Sequence, residues 1–314
     1  MSLSEHTKNG DYMLEIGQLF DKRYKILDII GSSGMSTVYL VLDALLNCNV
    51  VMKETINDGS RAAGIYIQAM RRIVEVQKEI RHPKIPNIIA TYERTDAYII
   101  VMNYIEGISL DSLILQKHND SLENSSDVIE NPTSIIKNEF ISWMTQVCEI
   151  LHYLHTREKP IIHRNIKPSN ILFNSQSSCI YLIGFDIMKQ YDIRDCSRYT
   201  ECLGSPGYAA PEQYGGMGRT DARTDIYGLG MTMYALLTGK NPSTELISDT
   251  SIKKVNPTFS NELDRIIVKS TQRSPDERYQ SCDELAYELK CIPYIYRSPH
   301  NGWLHKIWSC FKKR

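Results

Sequence analysis

The hydrophobic pattern of this chain changes character about a third of the way along. The run YKILDIIGSSGMSTVYLVLDALLNCNVVMKE, residues 24 to 54, is rich in β-branched and aromatic residues. A Gly/Ser turn and the LLNCN stretch break it, which predicts three antiparallel strands. IYIQAMRRIVEVQKEI, residues 65 to 80, spaces Ile65, Ala69, Ile73, Val76 and Ile80 at helical period, and Pro83 and Pro86 end the pattern. Strand-like runs follow at 88 to 92 and 98 to 102. Beyond Tyr104 the periodicity is helical, in FISWMTQVCEILHYLH and DIYGLGMTMYALLTG, the second closed by Gly239. The expectation is an α+β chain of two lobes, β-rich over 20–103 and α-helical over 104–295. An N-terminal extension (1–19), a polar insert (116–134) and an amphipathic basic tail (296–314) complete it.

A length of 314 residues allows a sizeable core. With 36 Lys+Arg against 37 Asp+Glu there is no basic field to favour nucleic acid and no acidic excess to favour disorder. The 8 cysteines form no CxxC and no metal-ligand spacing, so they read as reduced thiols. No apolar run of about 18 residues occurs, and the early acidic residues do not fit a secretory signal. A cytoplasmic protein is expected, peripheral at a membrane if the tail binds one.

Candidate chemistry sits in an ordered series of motifs: GSSGMSTVYL, VVMK, HRNIKPSN, GSPGYAAPEQY, TDIYGLG and PDERYQS. In that order they resemble the eukaryotic-type protein kinase family in its bacterial Ser/Thr form, over roughly residues 20 to 295. The resemblance implies a two-lobed protein-kinase-like fold. It assigns nucleotide contacts to Gly31, Gly34, Val38, Val51, Lys53, Met102, Asn103, Ile105 and Leu172. It also gives a catalytic loop containing Asn165 and Lys167, and a metal-ligand position at Asn170. Scaffold roles fall to Glu212 with Arg278, and to Asp225.

Several catalytic positions depart from the family pattern. Asn165 stands where the family has its proton-accepting Asp, and an amide cannot act as a general base. The D-F-G motif is replaced by Gly184, Phe185 and Asp186, so the metal-binding carboxylate is missing at 184. Asp186 is a substitute only if the backbone is re-routed. Family spacing puts the helix glutamate that holds Lys53 at Ile73; Glu75 lies about 200° around the helix from it. Ser33 and Ser36 take the places of two loop glycines.

The expected function is a pseudokinase, a kinase-shaped module that binds another protein, an active kinase or its substrate. It would hold ATP weakly and without dependence on metal, and Mg²⁺ lacks a secure ligand set. The alternative is an atypical, low-activity ATP-dependent serine/threonine kinase. Ser197, Tyr199 and Thr200 are candidate phosphate acceptors with Arg164 as a phosphate partner, or else belong to an ordinary polar loop. As a helix, WLHKIWSCFKKR places Trp303, Leu304, Ile307, Trp308 and Phe311 within an arc of about 140°. That arc suits either contact with a membrane surface through residues 303–314 or packing on the large lobe or a partner protein.

Overall fold

The computed structural model describes residues 14–33, 36–113, 137–191, 204–214 and 219–293. Gly34, the insert at 116–134, the candidate acceptors Ser197, Tyr199 and Thr200, and the tail at 296–314 lie outside the described residues. The chain divides into two compact units, Met1–Glu106 and Gly107–Arg314.

The first unit is a six-stranded antiparallel sheet with one long helix. Its strands are β1 (Leu19–Phe20), β2 (Tyr24–Ser33), β3 (Ser36–Asp43), β4 (Cys48–Ile56), β5 (Ile88–Glu93) and β6 (Ala97–Asn103). They lie in the order β1-β2-β3-β4-β6-β5. The helix α1 (Arg61–Lys78) follows β4, and the Ser60 side chain caps it by accepting from the Ala63 N–H.

Strand alternation gives this sheet two different faces. On one, Tyr24, Ile26, Tyr39, Val41, Val50, Met52, Ile99 and Val101 form a core closed over by Leu14. On the other, Tyr98 and Ile100 pack with Ile67, Met70 and Val74 of α1.

The buried stripe of α1 differs from the expected one: it runs Ala63, Ile67, Met70, Val74, Gln77, while Ile65 is exposed and Ile73 and Val76 flank it. Two apolar stripes of helical period coexist in this sequence, and period alone cannot rank them. The side chains of Tyr98 and Ile100 on the sheet receive the stripe carrying Met70 and Val74.

The second unit is mainly helical. Its elements are β7 (Ile108–Ser109), α2 (Lys137–His155), β8 (Ile161–Ile162), β9 (Ile171–Asn174), β10 (Cys179–Leu182), β11 (Lys189–Gln190), α3 (Ala222–Thr238), α4 (Ile252–Val255), α5 (Asn261–Ser270) and α6 (Cys282–Lys290). The helix α3 is apolar nearly all round and accordingly buried on nearly every side. Asp221 and Thr224 form its capping box, and Gly239 ends it in the left-handed region at φ 70°. Gly228 brings the α3 backbone against the loop after β8: a Cβ there would sit 3.0 Å from the Ile166 carbonyl oxygen. No described helix is long and apolar enough to cross a membrane.

Candidate active site

Each unit carries its own share of the candidate site. In the first, Lys53 on β4 pairs in register with Val38 on β3 and Ile100 on β6, and Val51 pairs with Leu40 and Met102. Period two therefore puts Val38, Val51 and Lys53 on the face that also bears Ile100 and Met102, and Lys53 is buried. Glu75 does not face that way; it is exposed and pairs with Lys78 at 2.9 Å. Ile73, at the position of the family's helix acid, packs among apolar side chains.

Gly31 opens the β2–β3 turn, where Ser33 Oγ donates to the Ser36 carbonyl at 3.3 Å. At the end of β6 the Asn103 carboxamide oxygen accepts from the Asn87 N–H, so this side chain is spent on bracing the chain. Ile105 follows, half-buried.

Glu54, next to Lys53, points to the opposite face, where it is fully buried. Its Oε2 accepts from the Tyr39 hydroxyl at 2.7 Å and the Leu14 N–H at 3.3 Å, while Oε1 has no partner. Burial pushes its carboxyl above the ordinary glutamate value.

In the second unit the loop His163–Asn170 is held by one carboxylate. Asp225 on α3 accepts from the His163 N–H at 2.9 Å, the Arg164 N–H at 2.7 Å and His155 Nε2 at 2.8 Å. Arg164 sits in the left-handed region at φ 65°, a conformation this anchorage maintains. Glu212 and Arg278, both almost fully buried, form a forked ion pair at 2.7 and 2.9 Å.

His163 is buried and held neutral, its pKa pushed down by desolvation. Its Nε2–H donates to the Ile183 carbonyl at 3.0 Å, which leaves Nδ1 to accept the Asn165 N–H at 3.3 Å. The ring also meets Phe185 edge-on, 4.6 Å between centroids.

Asn165 is tied up in turn, its side-chain oxygen accepting from the Ser205 hydroxyl at 2.8 Å. Lys167 is half-buried, and its carbonyl accepts from the Asn170 N–H at 3.0 Å. Leu172 on β9 pairs with Tyr181 on β10 and Ser109 on β7.

Asn170 donates its side-chain N–H to the Asn165 carbonyl at 2.8 Å. Its carboxamide lies in the room a side chain at 184 would need: a Cβ on Gly184, which stands at φ 80°, would come within 2.5 Å of Asn170 Cγ and Oδ1. Asp186 is half-buried beyond the buried Phe185. The residues around 184 therefore do not fit the carboxylate cradle a divalent metal requires. Among the described residues no three His, Cys, Asp or Glu side chains gather to hold a metal ion.

Sequence reading missed His155, Ser205 and Gln213. Gln213 follows Glu212 in the APEQY motif, and its Nε2 donates to the Arg164 carbonyl at 2.9 Å. Its place in that motif was the available signal; the pairing of Ser205 with Asn165 bridges 40 residues and left none.

The family model described as "Protein kinase domain" matches residues 24–296. The chain belongs to the protein kinase domain family. This kinase domain is 30% identical over 290 residues to the serine/threonine-protein kinase PrkC of Bacillus subtilis, covering 88% of the chain and 41% of that protein. It is 27% identical to the serine/threonine-protein kinase PknB of Mycobacterium tuberculosis over 303 residues, covering 89% of the chain and 43% of that relative. The chain thus spans about two fifths of the length of these curated relatives. The crystal structure of the Mycobacterium tuberculosis PknI kinase domain superposes with a TM-score of 0.64 at 23% identity, covering 88% of this chain and 98% of that one. That likeness concerns the fold: a curled-sheet N-lobe and a helical C-lobe.

Proposed function

We propose that this kinase domain acts as a pseudokinase, binding and regulating another protein without metal-assisted phosphoryl transfer. The observation that carries the reading is position 184, where a glycine in left-handed geometry leaves its room to the Asn170 carboxamide. Phosphoryl transfer in this family depends on positioned metal and on an acid that takes the hydroxyl proton. Asn165 offers an amide already engaged by Ser205. A missing general base alone costs a factor of about 10²–10⁴. Lys53 with Val38 and Val51 on one sheet face supports retention of nucleotide as a weak ligand. The partner is another protein, an active kinase or its substrate.

The names of the relatives, serine/threonine-protein kinases, favour a second reading. In it the domain retains low ATP-dependent serine/threonine kinase activity, with Asp186 supplying the carboxylate. Incubation with γ-labelled ATP, Mg²⁺ or Mn²⁺ and generic acceptor proteins separates the two, with Lys53→Met as control. No incorporated label is expected. Label that disappears in Lys53→Met and in Asp186→Asn would establish the second reading instead.

A further inference from the structure

The loop His163–Asn170 is tied to a part of the second unit that neither reading of the domain uses, the start of α6. Ser281 caps that helix by accepting from the Glu284 N–H at 3.1 Å, and the buried stripe that follows runs Cys282, Leu285, Ala286, Leu289. Its first member meets the last turn of α2. Cys282 Sγ lies 3.7 Å from His155 Nδ1, and the next residue, Asp283, pairs with His152 Nδ1 at 3.0 Å. His152 and His155 stand three residues apart and so share a face of α2. Cys282 is 1% exposed and the His155 side chain 6%, so these polar groups must satisfy one another.

The place of each proton follows from the partners. A carboxylate only accepts, so His155 Nε2, 2.8 Å from Asp225 Oδ2, carries a hydrogen. The other ring nitrogen then faces a thiol. Burial pushes that thiol well above the ordinary cysteine value, so Cys282 keeps its S–H even at a helix N-terminus and has a donor to offer. His155 Nδ1 is the acceptor within its reach. Asp225 in turn takes the His163 and Arg164 N–H groups, and His163 donates to the Ile183 carbonyl, next to position 184. One chain of polar contacts thus runs from the first residue of α6 to the backbone beside Gly184.

We propose that Cys282 is a positioning residue for this loop: its S–H donates to His155 Nδ1, fixes the ring as the Nε2–H tautomer, and so secures the Asp225 carboxylate that orients His163 and Arg164. The hydrogen bond at one ring nitrogen decides which nitrogen holds the proton. Without the thiol donor the proton would divide between the two nitrogens, and Asp225 would face a lone pair for part of the time. This role is independent of whether the domain transfers phosphate.

A hydroxyl can replace the donor and a methyl cannot, so Cys282→Ser and Cys282→Ala in the full chain test the assignment. The His155 tautomer is read from two-bond ¹H–¹⁵N correlation spectra at pH 8, and amide hydrogen exchange is followed residue by residue by NMR. Wild type and Cys282→Ser should both show the Nε2–H tautomer. Cys282→Ala should show a mixture, and exchange at His163 and Arg164 should quicken about three- to tenfold, the worth of one hydrogen bond. Leu229 and Leu236, in the middle of α3, should keep their rates. Four results would overturn the role. His155 could carry both protons in the wild type, which makes Cys282 a thiolate. The tautomer could stay unchanged in Cys282→Ala. Cys282→Ser could behave like Cys282→Ala, which makes the sulfur a packing group. Exchange could quicken equally at Leu229 and Leu236, which indicates a general loss of stability.

Discussion

Two neighbouring parts of the second unit have been treated differently by this sequence. The frame that holds the catalytic loop is complete: Asp225 takes three N–H donors, and Glu212 grips Arg278 with both oxygens. Two of the groups that the frame presents are changed, with an amide at 165 and no side chain at 184. In an ordinary kinase site the loop's anchorage and its chemistry serve one purpose. Here the anchorage persists with other groups upon it, and in the proposed reading its role is to keep a kinase-shaped surface folded.

The largest effect should come from breaking the frame. Arg278→Ala leaves Glu212 buried without its guanidinium and should cost about 3–5 kcal/mol, read by chemical denaturation. A loss under about 1 kcal/mol would mean that the pair is ornamental and that the contrast with the catalytic positions has no energetic basis.

Next comes position 184. Gly184→Ala meets both a left-handed backbone and the Asn170 carboxamide at 2.5 Å, and should destabilise by about 1–3 kcal/mol. Combining it with Asn170→Ala should recover the steric part and leave the backbone part, a positive coupling in a double-mutant cycle. Strict additivity would show that Asn170 does not fill the space at 184.

The first unit offers the same contrast between adjacent residues, Lys53 on one sheet face and Glu54 on the other. Burial raises the Glu54 carboxyl above its ordinary 4.5, so the folded state holds a proton that the unfolded state has already released. Its contribution to stability therefore falls as pH rises from 4.5 through the folded value. Glu54→Gln should be more stable than wild type at pH 7–8 by about 1 kcal/mol, or about 2–4 °C in Tm. The advantage should vanish below pH 4.5. A pH-independent difference in melting temperature would refute the raised carboxyl.

The smallest expected effect is that of Asn165→Asp. The Ser205 hydroxyl can donate to a carboxylate as well as to an amide, so stability should change by no more than about 0.5 kcal/mol. In the proposed reading, an acid at 165 alone should not give phosphoryl transfer, because position 184 still lacks a carboxylate. Measurable transfer by this variant would move the block from position 184 to Asn165.

Much of the frame was legible in the chain itself. Ordered motifs located the loop around Asn165 and the helix that begins near Asp225, and the change from period two to helical period separated a β-rich part from a helical one. Those signals are local: β-branched runs, helical period and a closing glycine act within a few residues. The pairing of Glu212 with Arg278 came only through resemblance to a family, since 66 residues separate them.

The sequence by itself determined which functional groups exist: no carboxylate at 165 or 184, a lysine at 53, an apolar residue at 73. Covalent chemistry decides such absences, and no fold can supply a base that the side chain lacks. Tertiary structure decided where the remaining groups point. It chose the Met70 and Val74 stripe of α1 over the one through Ile65 and Ala69, because Tyr98 and Ile100 receive it. It placed the Asn170 carboxamide in the room beside Gly184 and tied Asn165 to Ser205 across 40 residues. Close packing admits one occupant to each space, and which one enters depends on surfaces that meet only when distant segments fold together.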